Sequence, residues 1–278
     1  MFKLISIELY KIFSKGRTYI GIGAIVIIVL SIVLGAYFEG EEILDFAIMN
    51  LKDTFIFEGK LINGYFIGYL VLNTLWIHIP ILVALVAGDL LAGEANSGTF
   101  RVILTRPISR TKLLIAKFIA GWAYVLVLVL LMALLSLGLG LIVFGKGDLV
   151  VFRNNLSIFS SDDLIWRFAC AFGYGILTMT TVAALAYFLS AFAENSIGPI
   201  IGSIAIIIGI TIISTVGYTL LRPINKFLFT TYLPSWQLFF EFDLNIAKII
   251  RAVAIQIAYI FVFLSITFFY FRKKDILT

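Results

Sequence analysis

The residues able to do chemistry are few, and most gather in one stretch, AGEANSGTFRVILTRPISRTKLLIAKF, residues 92–118. It holds one carboxylate, Glu94, among Arg101, Arg106, Arg110, Lys112 and Lys117. One acid among cations offers no acid–base pair. It suits a structural ion pair between Glu94 and a loop arginine, or the holding of an acidic partner. The only histidine, His78, and the only cysteine, Cys170, each stand alone in apolar sequence. A lone cysteine excludes an intrachain disulfide framework. No HExxH, CxxC or GxSxG occurs, and the acidic stretch 39–60 lacks the spacing of a calcium loop. GLIVFGK, Gly140 to Lys146, fits the start of a phosphate-binding GxxxxGK loop. Gly147 stands where Ser or Thr would hold magnesium, and the stretch closes an apolar helix instead of following a strand. We therefore expect no catalytic residue, no metal site and no cofactor in this chain, and no enzyme activity of its own.

The elements that position these residues are apolar. The chain of 278 residues is 62% hydrophobic and 13% charged, against about 25% charged in soluble domains. Six stretches free of Asp, Glu, Lys and Arg cover 18–38, 61–88, 118–145, 168–193, 195–221 and 252–271. About 20 helical residues cross about 30 Å of hydrocarbon, and barrel strands would alternate over about 10 residues instead. The fold class expected is an all-α polytopic membrane protein, one transmembrane domain over 1–278. Its spans lie at about 18–38, 61–88, 114–144, 166–192, 197–221 and 249–271, and the first reads as an uncleaved helix rather than a signal peptide.

Charge sets the orientation. With the N-terminus inside, the inner segments hold twelve Lys/Arg and five acids, and the outer segments nine and eleven. The positive-inside rule then makes both termini cytoplasmic. The net charge of +5 is thus a topology signal, and nucleic acid is not an expected partner. In residues 2–15, Phe2, Ile5, Leu9, Ile12 and Phe13 share one helical face, with Lys3, Lys11, Ser14 and Lys15 around the other side. This predicts an amphipathic helix over 1–17 on the inner lipid surface. Leu4 and Ile7 fall on its polar side.

Within the spans, His78 sits two residues before Pro80, whose missing N–H and ring kink a helix. An ionisable residue at membrane depth is a functional candidate; bonding a neighbouring helix is the structural reading. Small residues at i,i+4, Ala169/Gly173, Ala171/Gly175 and Gly198/Gly202, allow close helix approach. No charge is expected to line a span, which speaks against a path of buried carboxylates. The outer segment 222–248 is aromatic but broken by Pro223 and Pro234. It fits short helices dipping into the outer leaflet or packing over the bundle mouth, with Tyr232 and Trp236 at headgroup level.

The loop 89–113 between the second and third spans is long enough for one short helix and two turns. Gly98-Thr99 punctuates it, Phe100, Ile103 and Leu104 follow at helical spacing, Pro107 stops that helix, and Ser109 is placed to cap the next. This order, Glu94, Gly98-Thr99, Pro107-Ile-Ser-Arg110 and Lys117, resembles the cytoplasmic loop of ABC-2 type transporter permeases. The layout of the whole chain is similar to the small six-helix members without a large extracellular domain. The resemblance implies a non-enzymatic permease subunit in a prokaryotic cell (inner) membrane, exporting its substrate. ATP and Mg would bind a separate cytoplasmic ATPase, seated on a coupling helix at 93–106. A second permease copy or homologue would complete the pathway between first, second and fifth helices, among membrane lipid. Carried over by position, the coupling residues would be Glu94, Gly98, Thr99, Arg101, Arg106, Pro107, Arg110 and Lys117, with a second contact at Glu194 and Asn195. The absence of charge in the spans suggests a hydrophobic or amphipathic cargo. Two other readings stay open: a permease that passes ATPase motion to an extracytoplasmic partner without moving a solute, and a polytopic membrane enzyme or scaffold.

Overall fold

A computed structural model describes residues 1–40, 42, 61–99, 108–152, 156–217 and 223–274. Among these, six helices are long and apolar enough to cross a membrane. They are α2 (Gly16–Phe38), α3 (Gly64–Ala87), α5 (Arg110–Phe144), α6 (Ser161–Phe192), α7 (Ile197–Val216) and α8 (Ile246–Lys273). Two shorter helices accompany them, α1 (Phe2–Phe13) and the single turn α4 (Ala92–Asn96). A hairpin of β1 (Leu149–Phe152) and β2 (Leu156–Phe159) joins α5 to α6, pairing Leu149 with Phe159.

The helix starts follow from local chemistry. Asn63 accepts from the backbone N–H of Tyr65 and Phe66, satisfying donors that the first turn of α3 leaves free. Its amide reaches Asp148 O at 2.7 Å, which ties the start of α3 to the hairpin. Ser109 accepts from Lys112 N and caps α5, as its place before Arg110 predicted. Asn245 does the same for α8. GLIVFGK closes the C-terminal end of α5, and Gly145 there has φ 77°, a left-handed turn with no strand before it.

α6 is the centre of the bundle and packs against α3, α5, α7 and α8. α5 departs from regular geometry at Leu134–Leu139, where one π-helical stretch precedes the last turns Gly140–Phe144. Beyond it, Gly140 meets Gly64 backbone to backbone: a Cβ built on Gly64 would lie 2.5 Å from Leu141 N. Close approach therefore happens at Gly64/Gly140 and not at the small-residue pairs read from the sequence. Gly173 faces open space, and Gly175 and Gly202 make ordinary contacts with Trp76 and Leu189.

The two ends differ. One gathers α1, α4, the start of α5, the α6–α7 connection and the last turn of α8. Arg110 donates to the carbonyls of Phe271, Arg272 and Lys274, and Lys274 Nζ donates to Ala191 O. The first helix of the chain and the end of its last helix therefore share one end of the bundle. At the other end a 3-10 segment, Phe229–Phe240, lies over α6 and α8. Trp236 is fully buried there against Tyr69, Trp76 and Phe240, so it anchors the segment to the bundle and does not sit at its rim. Arg167 holds this cap, with Nη1 donating to Phe239 O and Glu241 O while Nε pairs with Asp163 at 2.7 Å. Gln256 donates to Phe229 O from α8, and Tyr174 to Tyr232 O from α6.

Of the apolar face expected on α1, Ile12 is buried, Leu9 and Phe13 pack on the core, and Phe2 is 90% exposed. Glu8 is buried beside them, and Leu4 packs on the core although it falls on the polar side of the sequence pattern. α1 packs along α5, where a buried cation pairs with Glu8.

Candidate functional site

The most polar interior of the described chain lies where α1, the turn after α3, and α5 meet. α3 ends at Gly88, and Asp89 begins a tight turn that leads into α4. The Asp89 carboxylate takes Lys15 Nζ at 2.6 Å on Oδ2 and Arg17 Nη1 at 2.7 Å on Oδ1. Ser196, at the start of α7, also donates to Oδ1. Gly93 gives the carboxylate its room, because a Cβ there would collide with Asp89 Oδ1. From α6, Ser190 Oγ accepts from Leu91 N and Ala92 N at 3.1 and 2.8 Å. A side chain of another helix thus supplies the cap that α4 lacks in its own sequence.

One turn further, four charges form a closed ring. Lys117 Nζ lies 2.8 Å from Glu8 Oε2 and 2.7 Å from Glu94 Oε1. Lys11 Nζ lies 2.8 Å from Glu8 Oε1 and 2.7 Å from Glu94 Oε1. Signs alternate and the ring is neutral. Lys117 is only 1% exposed, Glu8 3% and Glu94 8%. Burial alone would raise the Glu8 carboxyl, but the Lys117 charge and the bonds from Lys11 and Lys117 hold it below its ordinary value. Burial likewise opposes the charge of Lys11, yet its bonds to Glu8 and Glu94 raise it above the usual ammonium range. Removing one partner of a buried pair costs about 3–5 kcal/mol, because the other charge is left uncompensated. The ring therefore fixes α1, α4 and α5 as one unit.

Glu94 Oε2 is buried and has no partner among the described residues. Glu94 also lines a small cavity of about 30 Å³, together with Glu8, Lys11, Lys15, Arg17, Asp89 and Lys117, among others. Such a polar space has room for one or two waters.

Of the residues expected to act together, the structure brings Glu94 and Lys117 into contact. Of the expected 93–106 helix, the described residues show α4, Ala92–Asn96, followed by Gly98 at φ 67°, with the Thr99 hydroxyl near Ser97 and Glu94 O; residues 100–106 lie outside the described residues. Arg101, Arg106 and Pro107 lie outside the described residues. Arg110 points elsewhere and caps the end of α8. Glu194 and Asn195 are exposed in the α6–α7 connection, where Asn195 accepts from Gly198 N and starts α7. His78 is remote from all of these, on the outward side of α3. No trio of His, Cys, Asp or Glu suited to a metal occurs among the described residues.

The expectation that no charge lines a span is corrected here. Lys117 is buried two turns into α5 and Arg167 is buried in α6. Both lie at the edges of the charge-free stretches, where a gap count reads them as flanks. Sequence reasoning also missed Glu8, Lys11, Lys15, Arg17 and Asp89 as members of the site. The signal available was that Glu8 is the only acid in the first 38 residues and stands on an otherwise basic helix.

Comparison with known proteins adds two findings. Over 206 residues the chain is 25% identical to "Uncharacterized protein YhcI" of Bacillus subtilis (strain 168), an alignment covering 69% of this chain. It spans 63% of that relative's length. A family model matches residues 25–277, so the chain belongs to the family described as "Protein of unknown function (DUF2705)".

Proposed function

We propose that this chain is the permease subunit of an ATP-driven exporter of the ABC-2 type, working with a separate cytoplasmic ATPase and a second permease copy. The end of the bundle carrying α1, α4 and the last turn of α8 is the cytoplasmic end in this reading. Exposed Lys3, Lys112, Arg272 and Lys273 cluster there, in keeping with positive-inside topology. α1 then lies along the inner lipid surface with Phe2 and Tyr10 turned to lipid headgroups.

The observation that carries the proposal is the buried ring of Glu8, Lys11, Glu94 and Lys117. A loop that docks a moving partner must pass force to spanning helices without yielding. Here the turn after α3 is locked to α1 and α5 by charge pairs, to α7 through Ser196, and to α6 through Ser190. Displacement of α4 by an ATPase would therefore shift several helices together, and the cargo path would change access as they move. The cargo is a hydrophobic or amphipathic molecule, ATP and Mg belong to the ATPase, and the site is the inner membrane of a prokaryotic cell.

The test is ATPase coupling in a reconstituted complex of the chain with its ATPase. Glu94→Ala is expected to abolish permease-dependent stimulation of ATP hydrolysis while the chain stays folded and membrane-inserted. Full stimulation in that variant contradicts the proposal.

A further inference from the structure

The charges around the small cavity are sorted by depth. Three acids line it, Glu8, Asp89 and Glu94, against four cations, Lys11, Lys15, Arg17 and Lys117. The acid side chains are 4%, 6% and 10% exposed and that of Lys117 only 2%. Those of Lys11, Lys15 and Arg17 are 38%, 45% and 33% exposed. A buried, net acidic floor thus lies under a rim of three cations, and the one positive charge left over sits at the mouth. Donors are in excess there as well. Among the described residues, Asp89 is the only acid paired with Lys15 or Arg17, and it also accepts from Ser196. An ammonium and a guanidinium together carry more N–H donors than one carboxylate can accept, so the rim has donors to offer a further anion.

The place of the rim selects the anion. Lys15 and Arg17 bracket Gly16, the first residue of α2, and the 23 residues of α2 make a rod about 35 Å long. Such a helix, crossing about 30 Å of hydrocarbon, begins at the depth of the lipid headgroups. One turn further, Tyr19 is 57% exposed and Ile20 62%, and the outward side of α2 continues through Ile27, Leu30 and Leu34. A Cβ added at Gly16 or Gly23 would meet nothing within 4 Å, so this strip is open. Cations, then a tyrosine at the interface, then an apolar strip follow the order of phosphate, glycerol and acyl chain in a phospholipid.

We infer that Lys15 and Arg17 hold the phosphate of an anionic phospholipid whose acyl chains run along the open strip of α2. The phosphate lies over the mouth, because a cavity of about 30 Å³ has room only for water. A soluble phosphate would find the same donors without the strip. A zwitterionic lipid carries an ammonium of its own, which the excess positive charge of the rim repels. Neither an ATPase nor the choice of leaflet enters, so the lipid site stands or falls apart from the permease reading.

Thermal midpoints of the full chain in a mild non-ionic detergent test it. Added dioleoylphosphatidylglycerol is expected to raise the midpoint by at least about 3 °C over the same amount of dioleoylphosphatidylcholine. Comparing two lipids on one variant cancels whatever stability the substitution itself removes. The difference is expected to vanish in Lys15→Gln with Arg17→Gln. Arg17→Gln alone, which leaves Lys15 on Asp89, is expected to lose at least about half of it. Lys3→Gln with Arg272→Gln and Lys273→Gln, exposed cations outside the cavity lining, is expected to keep it. Glycerol 3-phosphate, a headgroup without chains, is expected to give no shift. Equal midpoints in the two lipids for the natural chain overturn the inference. So does a difference that survives loss of Lys15 and Arg17, or one that the triple variant loses equally, which would assign it to general basic charge. A shift from glycerol 3-phosphate as large as that from the lipid overturns the lipid as the source of the phosphate.

Discussion

Lys117, two turns inside a spanning helix, holds its ammonium 2.8 Å from the carboxylate of Glu8, which lies 109 residues earlier on α1. Glu94 closes on the same ammonium at 2.7 Å. Three segments far apart in sequence thus meet at one buried nitrogen. A cation at that depth is tolerable only because two carboxylates answer it, and each carboxylate is answered again by Lys11.

Breaking the ring at its most buried member should be severe. Lys117→Met leaves Glu8 and Glu94 short of one cation and is expected to cost about 3–5 kcal/mol. A lowered thermal midpoint of the detergent-solubilised chain reads this. Combining Lys117→Met with Glu8→Gln should cost less than the sum of the single changes, because the charge left behind is removed too.

Acidity and alkalinity should loosen α1 from opposite directions. The Glu8 carboxyl is held below its ordinary 4.5, so its contribution is complete above that value and lost as pH falls through the lowered one. The Lys11 ammonium is raised above 10.5, so its contribution is complete below that value and lost as pH climbs through the raised one. Protection of α1 amides, referred to the intrinsic exchange rate at each pH, should be greatest between these limits. Protection that is flat on crossing both would show that α1 is held by apolar contact alone.

The Gly64/Gly140 contact should tolerate no side chain. Gly64→Val is expected to prevent α3 from seating on the end of α5, because the added Cβ meets backbone. Gly173→Ala, in open space, should leave expression and thermal midpoint unchanged. Size-exclusion profiles of the two variants check the contrast.

Spans were legible because hydropathy needs only composition: stretches of about 20 apolar residues leave no other soluble or barrel solution. The Ser109 cap was legible for the same local reason. The ring was not, since Glu8, Lys11, Glu94 and Lys117 become neighbours only through packing, and each looks like an ordinary flank in its own segment. Counting apolar residues along α1 gives Glu8 no weight, although its ion pairs with Lys11 and Lys117 bury it beside Ile12. The π-helical stretch of α5 carries no proline or charge to announce it. His78 is visible in the sequence as the only histidine, but its outward direction is a property of the fold.

Arg167 should control the cap. Its guanidinium bonds two cap carbonyls and Asp163 at once, a fork that an ammonium cannot reproduce. Both Arg167→Leu and Arg167→Lys are therefore expected to speed amide exchange in Phe229–Phe240 while leaving α1 and α4 unaffected. Equal protection in the lysine variant would show that charge alone suffices.

The central claim, that a cytoplasmic ATPase works through the ring at this end of the bundle, is tested most directly by what the chain holds in its own membrane. The tagged protein is extracted in mild detergent and its companions are identified and quantified by mass spectrometry, for the natural chain and for Glu94→Ala with Asp89→Asn. The account expects an ATPase with a phosphate-binding loop in near-equal amount to the natural chain, much reduced with the double variant. Recovery of the chain with no ATPase, or an ATPase retained undiminished by the double variant, contradicts it.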